Sequence, residues 1–256
     1  MSVRTVRVRR TRTAAALGVA LAAVVLVGGC ASAADDDEPE TRSFPLQGRT
    51  LTVDSDDSAL DVVAADVEEV RVTRWFDGST VLGEDPAVTW RMDGDTLQLQ
   101  VDCDGFVSDC AARHRIEVPR AAAVHVVSKD GRVTASGFRT ALRIRSDDGR
   151  VTVEDSSGPL ELVSADGAVE ALGVTSGRID ARSEDGRVRL DLGRAPDRVE
   201  AYSKGGAVSV DLPDGAYRVN ATSADGSVDV GEGVERDERG ARVVDVHSED
   251  GSVSVN

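Results

Sequence analysis

Aspartate recurs in this chain at one place in one phrase, Ser-x-Asp-Gly-x-Val. The copies begin at Ser128, Ser146, Ser164, Ser183, Ser203, Ser223 and Ser248. Six of them carry the acid (Asp130, Asp148, Asp166, Asp185, Asp225 and Asp250), and the fifth has Gly205 instead. If the copies stack, the carboxylates form a row. Neighbours ~5 Å apart repel by about 0.8 kcal/mol in water, a cost that a divalent cation would relieve. Calcium, however, takes about six to eight oxygen ligands, and one carboxylate per turn does not supply them. The simpler chemistry is that of the turn itself, in which Asp favours the bend and Gly supplies a positive φ. No metal or cofactor is expected.

Arginine follows the signature Asp by two positions in three of the first four copies, as Arg132, Arg150 and Arg187, with Ala168 between. Later copies place Ala207, Ser227 and Ser252 there, and Arg143, Arg145, Arg182 and Arg189 belong to the same early repeats. Guanidinium groups pair well with phosphate and carboxylate. Arg132, Arg150 and Arg187 are therefore a candidate patch for an anionic polymer. A salt-bridge lattice with Glu154, Glu170 and Asp191 is the alternative. His114, His125 and His247 are scattered, and the last two fall at outward, solvated positions. There is no nucleophile elbow, phosphate loop or metal-ligand spacing, so no catalytic residue is assigned.

These residues need a scaffold, and the repeat describes one. From one signature Ser to the next the steps are 18, 18, 19, 20, 20 and 25 residues, regular enough to mark stacked supersecondary units. Apolar or small residues alternate before each Ser (Leu142, Ile144; Leu160, Leu162) and after each Gly (Val151, Val153; Val169, Ala171). Period two means strands with one buried face. Each repeat then reads as strand, Asp-Gly turn, strand, second turn. Asp-Gly between alternating runs also suits an antiparallel hairpin, so a meander or β-sandwich is the rival. Like strands recur at like positions, however, and the inward residues are small, with no Trp or Phe. Both facts favour a narrow all-β solenoid of about seven to nine coils. Residues 51–62 open the same way, with Ser58 in place of Gly. Residues 71–119 break the pattern and hold Trp75, Trp90 and a hairpin over 87–101 turning on Asp93-Gly94. That is what an end cap requires, since an open solenoid edge invites pairing.

The first residues address the chain elsewhere. Arg4, Arg7, Arg9, Arg10 and Arg12 precede an apolar run at 14–27, too short to span a membrane comfortably. It ends in Val27-Gly28-Gly29-Cys30, which resembles the lipobox of bacterial lipoproteins. Cys30 would then carry the lipid. An ordinary secretory signal is the alternative. Residues 31–42, with the run Asp35-Asp36-Asp37-Glu38, read as a solvated acidic tether. The net charge is −16, and removal of residues 1–29, with five Arg and no acid, leaves −21. Such a surface is a poor partner for nucleic acid. Cys103 and Cys110 form an even pair in an exported domain, which reads as a disulfide worth roughly 2.5 kcal/mol by loop closure. A metal pair would need two further ligands.

The lipobox, the opening Leu51-Thr52-Val53-Asp54-Ser55, the segment Val88-Thr89-Trp90-Arg91-Met92-Asp93-Gly94, the Cys103–Cys110 loop, Glu117-Val118-Pro119 and the repeated phrase together resemble one family. It is the adhesin-like domain-of-unknown-function family of bacterial cell-surface lipoproteins. The resemblance runs over about 49–256. It implies one β-solenoid domain at the cell surface, without assigned catalysis, and it transfers no site residue. The expected layout is a lipoprotein signal peptide at 1–29, lipidated Cys30 and an acidic flexible linker at 30–48, and a β-solenoid at 49–256. Within the last, 49–120 form the cap and first coils and 121–256 the regular repeats. The expected function is a non-enzymatic binding module on the extracellular face of the cell membrane. Its partners would be the membrane, through the lipid, and a cell-wall polymer, glycan or surface protein. A structural or signalling envelope protein and a polysaccharide-active β-helix enzyme are the alternatives.

Overall fold

A computed structural model describes residue 33, residues 36–83 and residues 85–256, so Cys30 and the apolar run before it lie outside the described residues. The strands are, in chain order, β1 (Glu40–Phe44), β2 (Thr50–Ser55), β3 (Ala59–Ala65), β4 (Val70–Gly83), β5 (Ala87–Asp93), β6 (Thr96–Asp102), β7 (Gly105–Pro119), β8 (Ala123–Ser128), β9 (Val133–Ser136), β10 (Leu142–Ser146), β11 (Val151–Glu154) and β12 (Leu160–Ser164). There follow β13 (Val169–Val174), β14 (Arg178–Ser183), β15 (Val188–Leu192), β16 (Arg198–Ser203), β17 (Val208–Asp211), β18 (Ala216–Ser223), β19 (Val228–Val230), β20 (Glu235–Arg236), β21 (Val243–Ser248) and β22 (Val253–Val255).

Each signature turn joins a strand of one sheet to a strand of the other. One sheet runs β20-β18-β21-β16-β14-β12-β10-β8-β2-β6-β5, the other β1-β4-β7-β3-β9-β11-β13-β15-β17-β22-β19. Within the repeats every pairing is parallel, and in register except for a shift between Ala171 and Val174 where β13 meets β15: Ser146 lies level with Ser128 and Ser164, and Val151 with Val133 and Val169. This is the β-solenoid that the repeat predicts. Its interior is a set of ladders, Ile144–Leu162–Ala181–Ala201–Val246 on one side and Val133–Val151–Val169–Val188–Val208–Val253 on the other, all buried. Burying each Val is worth about 1.5–3 kcal/mol. Phe138 departs from the expectation of small inward residues. It is 1% exposed in the turn after β9, where its N–H donates to Ser156 Oγ.

The coils do not stack in sequence order at either end. Coil β2–β3 sits between β6–β7 and β8–β9. Coil β21–β22, the last in sequence, sits between β16–β17 and β18–β19. The aspartate row therefore runs Asp185, Gly205, Asp250, Asp225 rather than reaching Asp225 first, as the turn bonds Asp250 N–H to Lys204 O and Asp225 N–H to Glu249 O confirm. The 25-residue last step holds the excursion that makes this insertion, including β20.

Residues 40–44 correct the flexible-linker expectation. They form β1, antiparallel to β4. Arg74 clasps Glu40 at 2.7 Å, Arg42 lies 4.6 Å from the Trp90 ring centre, and Phe76 N–H donates to Asp36 at 2.9 Å. An acidic sequence packs when cations and a free sheet edge receive it. Phe44, Trp90 and the antiparallel strands β4 and β5 complete the cap, the expected hairpin turns on Gly94 (φ 56°), and Cys103 and Cys110 are disulfide-bonded.

The signature Gly serves a purpose different from the one expected. None of these glycines has a positive φ; the left-handed positions are Gly94, Gly137, Gly173 and Asp155, and the last three stack at the second corner. What the signature turn demands is proximity. A Cβ on Gly149, Gly167, Gly186, Gly206, Gly251 or Gly226 would overlap the carbonyl oxygen of the equivalent Gly one coil away. Replacing Gly167 by Ala is expected to cost about 3 kcal/mol, as overpacking against rigid backbone does. Replacing Gly94, with a positive φ and open surroundings, should cost about 1 kcal/mol. Urea denaturation of the two variants measures the difference, and equal costs would refute the proximity argument.

Candidate functional site: an arginine row beside an aspartate row

The turn is held by a hydrogen-bond relay. Ser164 Oγ accepts the N–H of Gly167 at 3.0 Å and donates to Gly149 O at 3.1 Å. Ser183 repeats this with Gly186 and Gly167, Ser203 with Gly206 and Gly186, Ser248 with Gly251 and Gly206, and Ser223 with Gly226 and Gly251. With Ser and Gly inward, the residues between and just after them must point out. Two rows result along the solenoid axis, each rung ~4.8 Å from the next.

The first row is acidic. Asp148 lies between Asp130 and Asp166, and carboxyls sharing hydrogen bonds with both hold its own up at about 6. Asp57 extends the row at the N-terminal side and is also raised, by burial and by Asp130. Among the described residues no group of three or more His, Cys, Asp or Glu is arranged to hold a metal ion.

The second row holds the predicted arginines. Backbone bonds from Leu60 N–H to Arg132 O, Val133 N–H to Arg150 O, Val151 N–H to Ala168 O and Val169 N–H to Arg187 O set them in line. Arg187 pairs with Glu170 at 2.9 Å, as the lattice reading expected. Arg132 and Arg150 are exposed and make no ion pair among the described residues. The register adds an arginine that the sequence did not reveal. Ala59 stands level with both Arg132 and Arg113, so the row reads Arg113, Ala59, Arg132, Arg150, Ala168, Arg187. Arg113 lies 5.0 Å from the Trp75 ring centre and 4.0 Å from Asp61. It was hidden because β7 lacks the repeated phrase.

Arg143, Arg145 and Arg182 belong to the same coils but to the opposite sheet, and do not join this row. Arg143 pairs with Glu161 at 2.7 Å, Arg182 with Asp180 at 2.7 Å and Arg198 with Glu200 at 2.6 Å. A shallow groove of ≈ 400 Å³ on that face is lined by His125, Arg143, Glu161 and Asp180. Nearby, His247 is not merely solvated: it stacks on Tyr202 and bonds Thr222 at 2.9 Å.

The architecture defines the class: a parallel β-solenoid with an antiparallel N-terminal cap. Residues 35–256 match the Toastrack DUF4097 family, and the chain belongs to it. Two solved structures are similar. A putative adhesin from Bacteroides fragilis is 10% identical with a TM-score of 0.44, over 86% of this chain and 98% of that one. A putative cell adhesion protein from Clostridium sporogenes is 8% identical with a TM-score of 0.29, over 85% of this chain and 98% of that one. No curated protein matches.

His114 is the group whose environment is least like water. It is 0% exposed, faces Trp90, and neither ring nitrogen has a hydrogen-bond partner. Burial, and then the Arg74 charge, push the imidazole down to about 4. A base depressed in the folded state gives stability that is full above the unfolded value of 6.5 and is lost as pH falls toward 4. The loss is about 3 kcal/mol, and His114→Phe should remove that part of the acid slope in melts from pH 7 to pH 4. Asp148 works in the opposite sense. A carboxyl raised from 3.8 to about 6 gives stability that is present at low pH and lost as pH rises through 6. Asp148→Asn should therefore raise the melting temperature at pH 7.5 and leave it unchanged at pH 3.5; a gain of equal size at both would contradict the assignment.

Proposed function

We propose that this chain is an exported, lipid-anchored, non-enzymatic binding module displayed on the extracellular face of the cell membrane. The observation that carries the binding function is the exposed Arg132–Arg150 pair, level and adjacent on one face and without an ion-pair partner among the described residues. Adjacent guanidinium groups repel one another, and an acidic chain had ample carboxylate with which to neutralise them. A non-enzymatic role is supported by the opposite face, where Glu161, Asp180 and Glu200 are each engaged by an arginine. The anchor is read from Val27-Gly28-Gly29-Cys30.

Two measurements test this. Cys30→Ser should move the protein from the membrane fraction into the medium or leave an uncleaved precursor; a correctly cleaved variant still held in the membrane would overturn the lipid anchor. The compact unit Ala31–Asn256, which holds the whole described core, should sediment with isolated cell envelopes in a salt-sensitive way. Failure to sediment at low salt would overturn the binding function.

A further inference from the structure

The arginine row has a length and a direction, and these constrain what it receives. Four guanidinium groups occupy rungs one, three, four and six of a straight row, over ~24 Å along the solenoid axis. The gaps are Ala59 and Ala168, which keep the row level without raising a side chain across it. Thr134 and Thr152, the next outward residues after Arg132 and Arg150, are also level and add hydroxyl donors beside the central pair. Asp130, Asp148, Asp166 and Asp185 line the other border, two residues earlier at the turn, and repel an anion from that edge along its whole length.

A small anion would be satisfied by Arg132 and Arg150 alone and would leave Arg113 and Arg187 unused. We propose that the row is a track for a linear polyanion, a polymer bearing phosphate or carboxylate at each unit, which lies along the solenoid axis across the strands. Arg132 and Arg150 are its central contacts. Arg113, steadied against Trp75 and only 4.0 Å from Asp61, and Arg187, held by Glu170, are its end contacts. Both end arginines are exposed and exchange an intramolecular carboxylate for one of the polymer's charges. The carboxylates they release are mostly covered, Glu170 at 13% and Asp61 at 22% exposed, so these end contacts are weaker than the central pair. This inference rests on reading the domain as a binding module.

The experiment measures binding of the Ala31–Asn256 unit to inorganic triphosphate, long-chain polyphosphate and polygalacturonate, by calorimetry at several salt concentrations. Wild type is expected to bind at least one polymer, at least tenfold tighter than triphosphate. Arg132→Gln with Arg150→Gln should lower polymer affinity at least tenfold and abolish triphosphate binding. Arg113→Gln and Arg187→Gln should each lower polymer affinity about threefold and leave triphosphate binding unchanged. Each arginine removed should reduce the slope of log K against log salt by about one. The two polymers separate a phosphate-bearing ligand from a carboxylate-bearing one. If neither polymer binds, or if the central double variant binds as well as wild type with an unchanged melting temperature, the track is refuted. If the end variants affect triphosphate and polymer equally, the site is a point and not a track. Because purified polymers are used, the track can fail while envelope sedimentation persists, which separates its failure from failure of the binding function.

Discussion

From Ser164 onward each signature serine touches two glycines, accepting the N–H of its own turn and donating to the glycine carbonyl of the neighbouring coil, while Ser146 donates to Lys129 O instead. Every coil is thereby locked to the next at the point where the two backbones come closest. A side chain on the glycine would force the coils apart, and loss of the serine would leave a buried N–H and carbonyl unmatched, each costing ~1–3 kcal/mol. The ladders of Val, Leu and Ala inside the solenoid depend on that spacing, because a coil displaced outward at its corner would open voids along both sheets. The relay stops at the N-terminal side. Ser55 is level with Leu99, and its hydroxyl and that of Ser58 have no partner. There the cap takes over, with aromatic rings and antiparallel strands in place of the corner.

The surface follows from the same constraint. Residues between Ser and Gly are driven outward at one fixed height per coil, so any residue type that recurs becomes a straight row. Repetition makes the cost of like charge cumulative: Asp148 carries a depleted affinity for its own ionisation because it has an aspartate on either side. Repetition also makes a basic row possible on a strongly acidic molecule. On the opposite sheet Glu161, Asp180, Glu200 and Asp245 form an acidic row that Arg143, Arg182 and Arg198 pair with.

Much of this was legible in the residues. Alternation at period two, joined by a phrase at near-constant intervals, specified strands, turns and parallel stacking; Asp93-Gly94 and the Cys103–Cys110 spacing specified the hairpin and the disulfide. The order of the last coils was not legible, for a physical reason. Val219, Ala221 and Ser223 present nearly the same inward stripe as Val244, Val246 and Ser248, so either could rest on β16. The buried role of His114 was available from its alternation with Ala112, Ile116 and Val118, but Arg113 needed the register of a strand outside the repeat. The strand at 40–44 was masked by its charge, because its partners Arg74 and Trp90 are distant in sequence.

The inserted coil ties completion of the scaffold to residues 243–256, which follow in sequence the coil they support. Val228 of β19 is 44% exposed at the open end, while Val253 of β22, the rung beneath it, is 1% exposed. Folding in sequence order can stack β8 through β17 one coil at a time. β18 and β19 come next, and the rung open to them on β16 and β17 is the one that residues 243–256 occupy in the finished structure. Residues 243–256 are a middle course of the wall rather than its top. A chain cut short there would not end in a slightly shorter solenoid. It would lack the buried rung residues Val244, Val246, Val253 and Val255 and leave the strand edges that β21 and β22 cover exposed to pairing with other chains.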